Sequence, residues 1–352
     1  FYSAMPDASC LYPAAQPGPC FEPVARAGAL GAGERFISLL ATLPLTPTAG
    51  TRAVGAGGWT SEAVPGWTSA AHPYMLADGS AIYSESQAYC AVLFLSGLAA
   101  ATPGALVVEM GTLVGHSSRC LGAGLGANAT GPRGNGLLYA AFDSFTSFPA
   151  GGIRKLGGAA HPMAAAHAQH GPDKPYHRYL WADMMVRPAY AGPLVARPGY
   201  IEKTAPAFFA ALPAGVPVEV FSIDSAKSHS QFVAQAAHVW PRLRVGSVLH
   251  LLDNLKHQLF FFFAQFVEPG DAEVAWISFT SSCWSFVVRR PLPWSRVLEW
   301  RPEALTAETR SRLHAGIDAL VAKHAASHGV PQERLDWLLA FVDRKAAGRG
   351  VY

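Results

Sequence analysis

Charge is scarce in this chain: only 14% of its 352 residues are charged, and the formal net charge is +3. No basic block of the kind that tracks a phosphate backbone is present, which argues against nucleic acid as a partner. Long apolar runs are missing as well. The two most apolar stretches, 88–101 and 259–267 with its run of phenylalanines, fall short of the ~20 residues that a bilayer requires. Both are expected to be buried helices, and no membrane span is expected. Cysteine is sparse and scattered (Cys10, Cys20, Cys90, Cys120, Cys283), which supports neither a disulfide framework nor a paired Cys-x-x-Cys zinc site. Only Cys10 and Cys20, in a Pro-rich segment, are placed to pair. The densest histidines (His161, His167, His170, His177) lack His-Glu-x-x-His spacing and accompanying carboxylates, so they read as solvated loop residues. The first residue is Phe1, so a preceding targeting segment stays open. The compartment stays open too, with the cytoplasm slightly favoured, and the Asn128 sequon matters only in a secreted chain.

What is abundant is apolar surface. Half the chain is hydrophobic, enough for a large core in one large or two modest domains. Residues 1–80, rich in Pro, Gly, Ala and Ser, read as an irregular arm or cap with one helical patch near Glu34–Leu43. From Ser84 a helix is predicted to about Ala100, and then elements alternate: strand 105–110, helix 116–126, strand 137–142, helix 203–212, strand 218–223, helix 228–243, strand 247–252, helix 254–266. Such alternation predicts a parallel sheet with helices on both faces. Strands 273–279 and 284–290, separated by Thr280-Ser281-Ser282, read as an antiparallel hairpin at the sheet edge. Residues 81–295 would form this domain, with 144–191 as a lid-like insertion. Residues 296–352 add two amphipathic helices, the second starting at Pro331; they pack on the sheet or on another subunit, which leaves a homo-oligomer open.

The most informative stretch is Val107 to Ser118, where an apolar run ends in Glu109 and continues through Gly111 and Gly115 into a helix. Glycine lets the chain turn tightly and lets a ligand approach the backbone, while the helix start presents free N–H groups. Glu109 is placed to accept from a cationic or hydroxyl-bearing ligand. A plain buried strand followed by a glycine turn would look the same. The next strand ends in Asp143, which can accept from both hydroxyls of a ribose or cap the following turn. It lies 34 residues (143 − 109) beyond Glu109, farther than the ~20 of dinucleotide sites, and the Gly-rich stretch 122–136 accounts for the excess as a loop. Further on, a buried strand ends in Asp224, with Lys227 three residues later, and the next ends in Asp253-Asn254. Adjacent parallel strands bring these ends together, and three side-chain oxygens suit a hard cation such as Mg²⁺. Solvent-facing strand termini are the plainer alternative.

The pattern Glu-x-Gly-Thr-x-x-Gly-x-Ser resembles the first motif of the Rossmann-like (class I) S-adenosylmethionine-dependent methyltransferases. Asp-x-x-Lys followed by Asp-Asn resembles the metal trio and catalytic lysine of the catechol and caffeoyl-CoA O-methyltransferases. The resemblance covers roughly residues 84–290. It implies a doubly wound, mostly parallel seven-stranded sheet with a terminal antiparallel hairpin. It also implies cofactor contacts from Glu109, Gly111, Gly115, Ser117 and Asp143, metal ligation by Asp224, Asp253 and Asn254, and Lys227 as the base for a small hydroxylated acceptor. One departure is the seven steps (253 − 246) from Gly246 to Asp253, one more than the catechol type; macrolide-sugar O-methyltransferases use variants of these strand ends. A methyltransferase-like domain that binds without catalysis is the alternative. Two decoys fall on context. Gly122-Ala123-Gly124-Leu125-Gly126-Ala127 fits a loose dinucleotide pattern but follows a helix instead of a strand, and Gly115-His116-Ser117-Ser118-Arg119 lacks the final glycine of a nucleophile elbow.

Overall fold

The computed structural model describes residues 31–41, 84–112, 115–127, 136–144, 182, 186–187, 189–226, 228–252, 258–277, 283–301 and 304–327. In chain order these form α1 (Ala32–Ala41), α2 (Ser84–Ala99), β1 (Leu106–Met110), α3 (His116–Ala127), β2 (Leu138–Asp143), β3 (Leu194–Pro198), α4 (Ile201–Ala211), β4 (Val218–Ile223) and α5 (His229–Ala236). There follow β5 (Leu243–Leu251), α6 (Gln258–Phe262, continued as a π-helical turn to Val267), β6 (Ala272–Ile277), β7 (Trp284–Val288), α7 (Trp294–Glu299) and α8 (Ala307–Ser327). The strands make one seven-stranded sheet in the order β3-β2-β1-β4-β5-β7-β6. β3 to β5 are parallel, and β7 is antiparallel to both β5 and β6. The expected α/β sheet with a terminal antiparallel pair is therefore present, β7 being the strand inserted next to the parallel set.

β1 and β4 are buried at every position. That is the mark of a parallel strand covered on both faces, and it is why their sequences run apolar without alternation. β3 was not predicted. It is a short edge strand ending at Pro198, where a missing N–H is tolerated, and the flanking prolines masked its strand character. The helix expected over 228–243 stops at Ala236 and gives way to a turn and a 3₁₀ segment, Trp240–Arg242. Pro241 cannot continue an α-helical hydrogen-bond pattern. β5 in turn starts at Leu243, earlier than expected, and passes through Gly246 at φ +86° where its register with β4 shifts.

Part of the N-terminal segment belongs to the core. α1 packs on α2 and β5, with Phe36 fully buried and its ring edge-on to His250 at 5.8 Å. A Cβ on Gly33 would meet Val287 Cγ1 at 2.3 Å and Gly246 O at 3.0 Å, so the helix backbone lies directly on the bulged strand. Glu34 pairs with Arg289, and Arg35 Nε donates to Ala99 O at 2.6 Å. The expected second C-terminal helix at Pro331, most of the 144–191 insertion with its four histidines, Cys10, Cys20 and Asn128 lie outside the described residues. Among the described residues no helix is long and apolar enough to cross a membrane. One cysteine expectation is corrected: Cys120 is disulfide-bonded, whereas only Cys10 and Cys20 had seemed placed to pair. Spacing along the chain does not reveal which cysteines the fold brings together. Cys283 is free.

The rejected dinucleotide pattern has a structural purpose. Its glycines lie inside α3, where a Cβ on Gly124 would sit 1.9 Å from Phe94 O and one on Gly126 1.7 Å from Ala189 O. Reciprocally, a Cβ on Gly97 of α2 would sit 2.4 Å from Leu121 O. The two helices touch backbone to backbone, which no larger residue permits. Gly124→Ala is therefore expected to destabilise the fold by roughly 1–3 kcal/mol through overpacking, read as a lowered midpoint in urea unfolding. A midpoint equal to that of the wild type would mean the two helices are free to separate.

Candidate functional site

The candidate site lies at the carboxyl ends of the parallel strands, where hydrogen bonds continue past the strands themselves. Gly111 N donates to Phe142 O (2.9 Å), Asp224 N to Met110 O (2.8 Å), Gly199 N to Asp143 O (2.9 Å) and Leu252 N to Ile223 O (3.0 Å). These bonds tie five strand ends into one rim. Gly111 has φ +89° and Gly115 φ +83°, a region that side-chain-bearing residues avoid. A Cβ on Gly111 would also stand 2.9 Å from Ser225 N and 3.1 Å from the Asp224 carbonyl carbon. The chain leaving β4 thus crosses against the turn leaving β1, and glycine is required there on two grounds.

Beside this crossing opens a crevice of about 440 Å³. Asp143 and Ser144 at the end of β2 form one wall, Gly199 and Tyr200 before α4 another, and Ser225 with Gln231 and Gln235 of α5 the third. Such a crevice outside the strand ends is where open α/β sheets bind ligands. Its chemistry is mainly hydrogen-bonding. Asp143 accepts from the neighbouring Ser144 hydroxyl at 3.2 Å, and Ser225 Oγ donates to Gln235 Oε1 at 2.6 Å. Ser228 caps α5 by accepting from Gln231 N at 3.2 Å, which satisfies one of the free N–H groups at the helix start. Tyr200, 67% exposed, stands at the entrance with the Lys203 ammonium 5.3 Å from its ring centre.

Glu109 and Ser117 are brought together, but onto each other. Ser117 donates to one Glu109 oxygen, while Ser118 (2.6 Å) and the Tyr139 hydroxyl donate to the other. Burial pushes the Glu109 carboxyl up to about 7, the three hydroxyl donors oppose that rise, and Asp143 adds to it. Burial, with Glu109 adjoining, also holds Tyr139 well above the ordinary phenol range. Neither Tyr139 nor Ser118 was singled out from the sequence. A lone tyrosine in the apolar run of β2 was the available signal, because a buried phenol needs a partner. Tyr200, Ser225 and Gln235 carried no signal along the chain. Of the anticipated metal ligands and base, Asp224 lies at the rim, whereas the ligands Asp253 and Asn254 and the base Lys227 lie outside the described residues. Among the described residues no group of three or more His, Cys, Asp or Glu is arranged to hold a metal.

The strand order, with an antiparallel seventh strand between the fifth and sixth, and the glycine turn at the crevice define a class I methyltransferase-like fold. No family model matches the sequence, and no curated protein matches it. Among solved structures the chain is similar to the calicheamicin methyltransferase CalS11, at 15% identity over 56% of this chain and 77% of that one, with a TM-score of 0.40. It is also similar to the O-methyltransferase NovP, at 17% identity over 53% and 72% of the two chains, with a TM-score of 0.35.

The position of Glu109 makes stability depend on pH. A carboxyl raised from 4.5 to about 7 on folding binds its proton more tightly in the native state, so its contribution is complete at low pH and is lost as pH rises from about 4.5 through 7. Glu109→Gln has no such proton to lose. Relative to wild type the variant is expected to gain up to about 3 kcal/mol between those limits, as read by urea unfolding at several pH values. A difference that does not change with pH would show that Glu109 ionises normally.

Proposed function

We propose that the chain is an S-adenosylmethionine-dependent methyltransferase acting on a hydroxyl of a small molecule. The observation that carries this reading is the crevice at the strand ends, with Asp143 in its wall and the Gly111 turn at its side. When bound, the cofactor supplies an electrophilic methyl group on a sulfonium. Asp143 at the end of β2 is the acceptor for paired ribose hydroxyls, the role such a strand-end carboxylate suits. Gly111 and Gly115 let the backbone approach the methionine portion, and the start of α3 offers N–H groups to its carboxylate. Lys227, three residues after Asp224, would take up the proton that the acceptor hydroxyl gives up. Positioning of the acceptor oxygen by the crevice would supply most of the rate. Asp224, Asp253 and Asn254 are the proposed oxygen set for Mg²⁺. Three side-chain oxygens suit that ion, and Asp224 is the one among them whose place at the rim is described.

Isothermal titration of S-adenosylhomocysteine, with and without Mg²⁺, tests the cofactor site. Asp143→Ala removes a charged acceptor and is expected to weaken binding about 10- to 100-fold. Failure of the wild type to bind under either condition would end the methyltransferase reading. Against a panel of small hydroxylated acceptors, Lys227→Ala is expected to lower the methylation rate by about 10²–10⁴-fold. Undiminished transfer would remove Lys227 from the mechanism.

A further inference from the structure

Glu109 is 1% exposed, and Tyr139 and Ser118 are fully buried. Their cluster joins three elements: Glu109 from β1, Tyr139 from β2, and Ser117 and Ser118 from the first turn of α3. Enclosed by three donors, the carboxyl has no open face toward the crevice, whose walls it does not enter. Yet it grips the first turn of the helix that follows the Gly111–Gly115 turn. We propose that Glu109 is a positioning residue, which holds the start of α3 and the glycine turn against β1 and β2 and governs cofactor affinity through them without touching the cofactor. This rests on the crevice being the cofactor site.

Proton occupancy of the cluster then matters. Among the described residues, the groups facing Glu109 are Tyr139 and Asp143 on β2, Ser117 and Ser118 on α3, and Ser222, its register neighbour on β4. Asp143 is the charged group among them. An ionised carboxylate accepts all three hydroxyl hydrogens at once, whereas a protonated one must itself donate, so one hydroxyl has to turn. The grip is fullest when Glu109 is ionised, and burial places that change near 7. Cofactor binding favours the gripped state, so affinity is expected to rise with pH through this range.

The experiment is calorimetric titration of S-adenosylhomocysteine from about pH 6 to about pH 8 for the wild type, Glu109→Gln and Tyr139→Phe. Melting curves at each pH confirm that each protein is folded. The wild type is expected to bind more tightly as pH rises, with an inflection near 7. Glu109→Gln should give a flat profile. Tyr139→Phe, which loses a single hydroxyl, should bind about tenfold more weakly with its inflection moved upward, because one donor to the anion is gone. Equal affinities and flat profiles in all three proteins would overturn the inference and leave a cluster that only packs. Loss of binding in Glu109→Gln together with wild-type binding in Tyr139→Phe would overturn it in favour of direct contact. Absence of wild-type binding at every pH would remove the cofactor reading itself, and this inference with it.

Discussion

The close crossing at Gly111 is the constraint on which the site depends. Met110 O accepts from Asp224 N, and the turn after β1 then passes so near Ser225 that a methyl group at position 111 would have to displace backbone. Parallel strands β1 and β4 are adjacent, so both loops leave the sheet from the same edge and compete for the same space. Removing one Cβ resolves that competition. It lets the rim of strand ends form without a gap, and the crevice then opens alongside, between α4, α5 and the end of β2.

The same device recurs away from the site. Gly97 and Gly124 bring α2 and α3 into backbone contact, and Gly33 brings α1 onto the bulge at Gly246. In each case apolar burial and close packing take the place of charge. Some ion pairs are part-exposed, such as Glu34 and Glu273 with Arg289, whereas Asp271 and Glu219 keep buried carboxylates against Arg296 and Arg35. A chain poor in charged residues relies on approach distance, and approach distance is controlled by glycine.

At Glu109 the interior departs from this apolar rule. A carboxyl is taken out of water and satisfied by hydroxyls alone, which costs more than an ion pair exposed to solvent and requires complete hydrogen bonding. His250, also fully buried, is pushed down to about 3 by burial and stays neutral with one nitrogen against Ser285 at 2.8 Å. Both groups lie on central strands, where side chains from neighbouring elements supply the partners.

The chain by itself determined the alternation of elements, because buried parallel strands write continuous apolar runs and helices write a different period. It also determined the glycine turn after Glu109 and the carboxylates at the ends of β2 and β4, because those features are local. It did not determine β3, whose prolines outweigh a short edge strand, nor the break before Pro241 within an otherwise helical pattern. Nor did it show that Glu109 would be held by Tyr139, thirty positions away, or that α1 would close over β5. Those outcomes depend on which strands become neighbours and how closely backbones approach. That is set by the packing of the whole sheet and is not encoded in any short window of sequence.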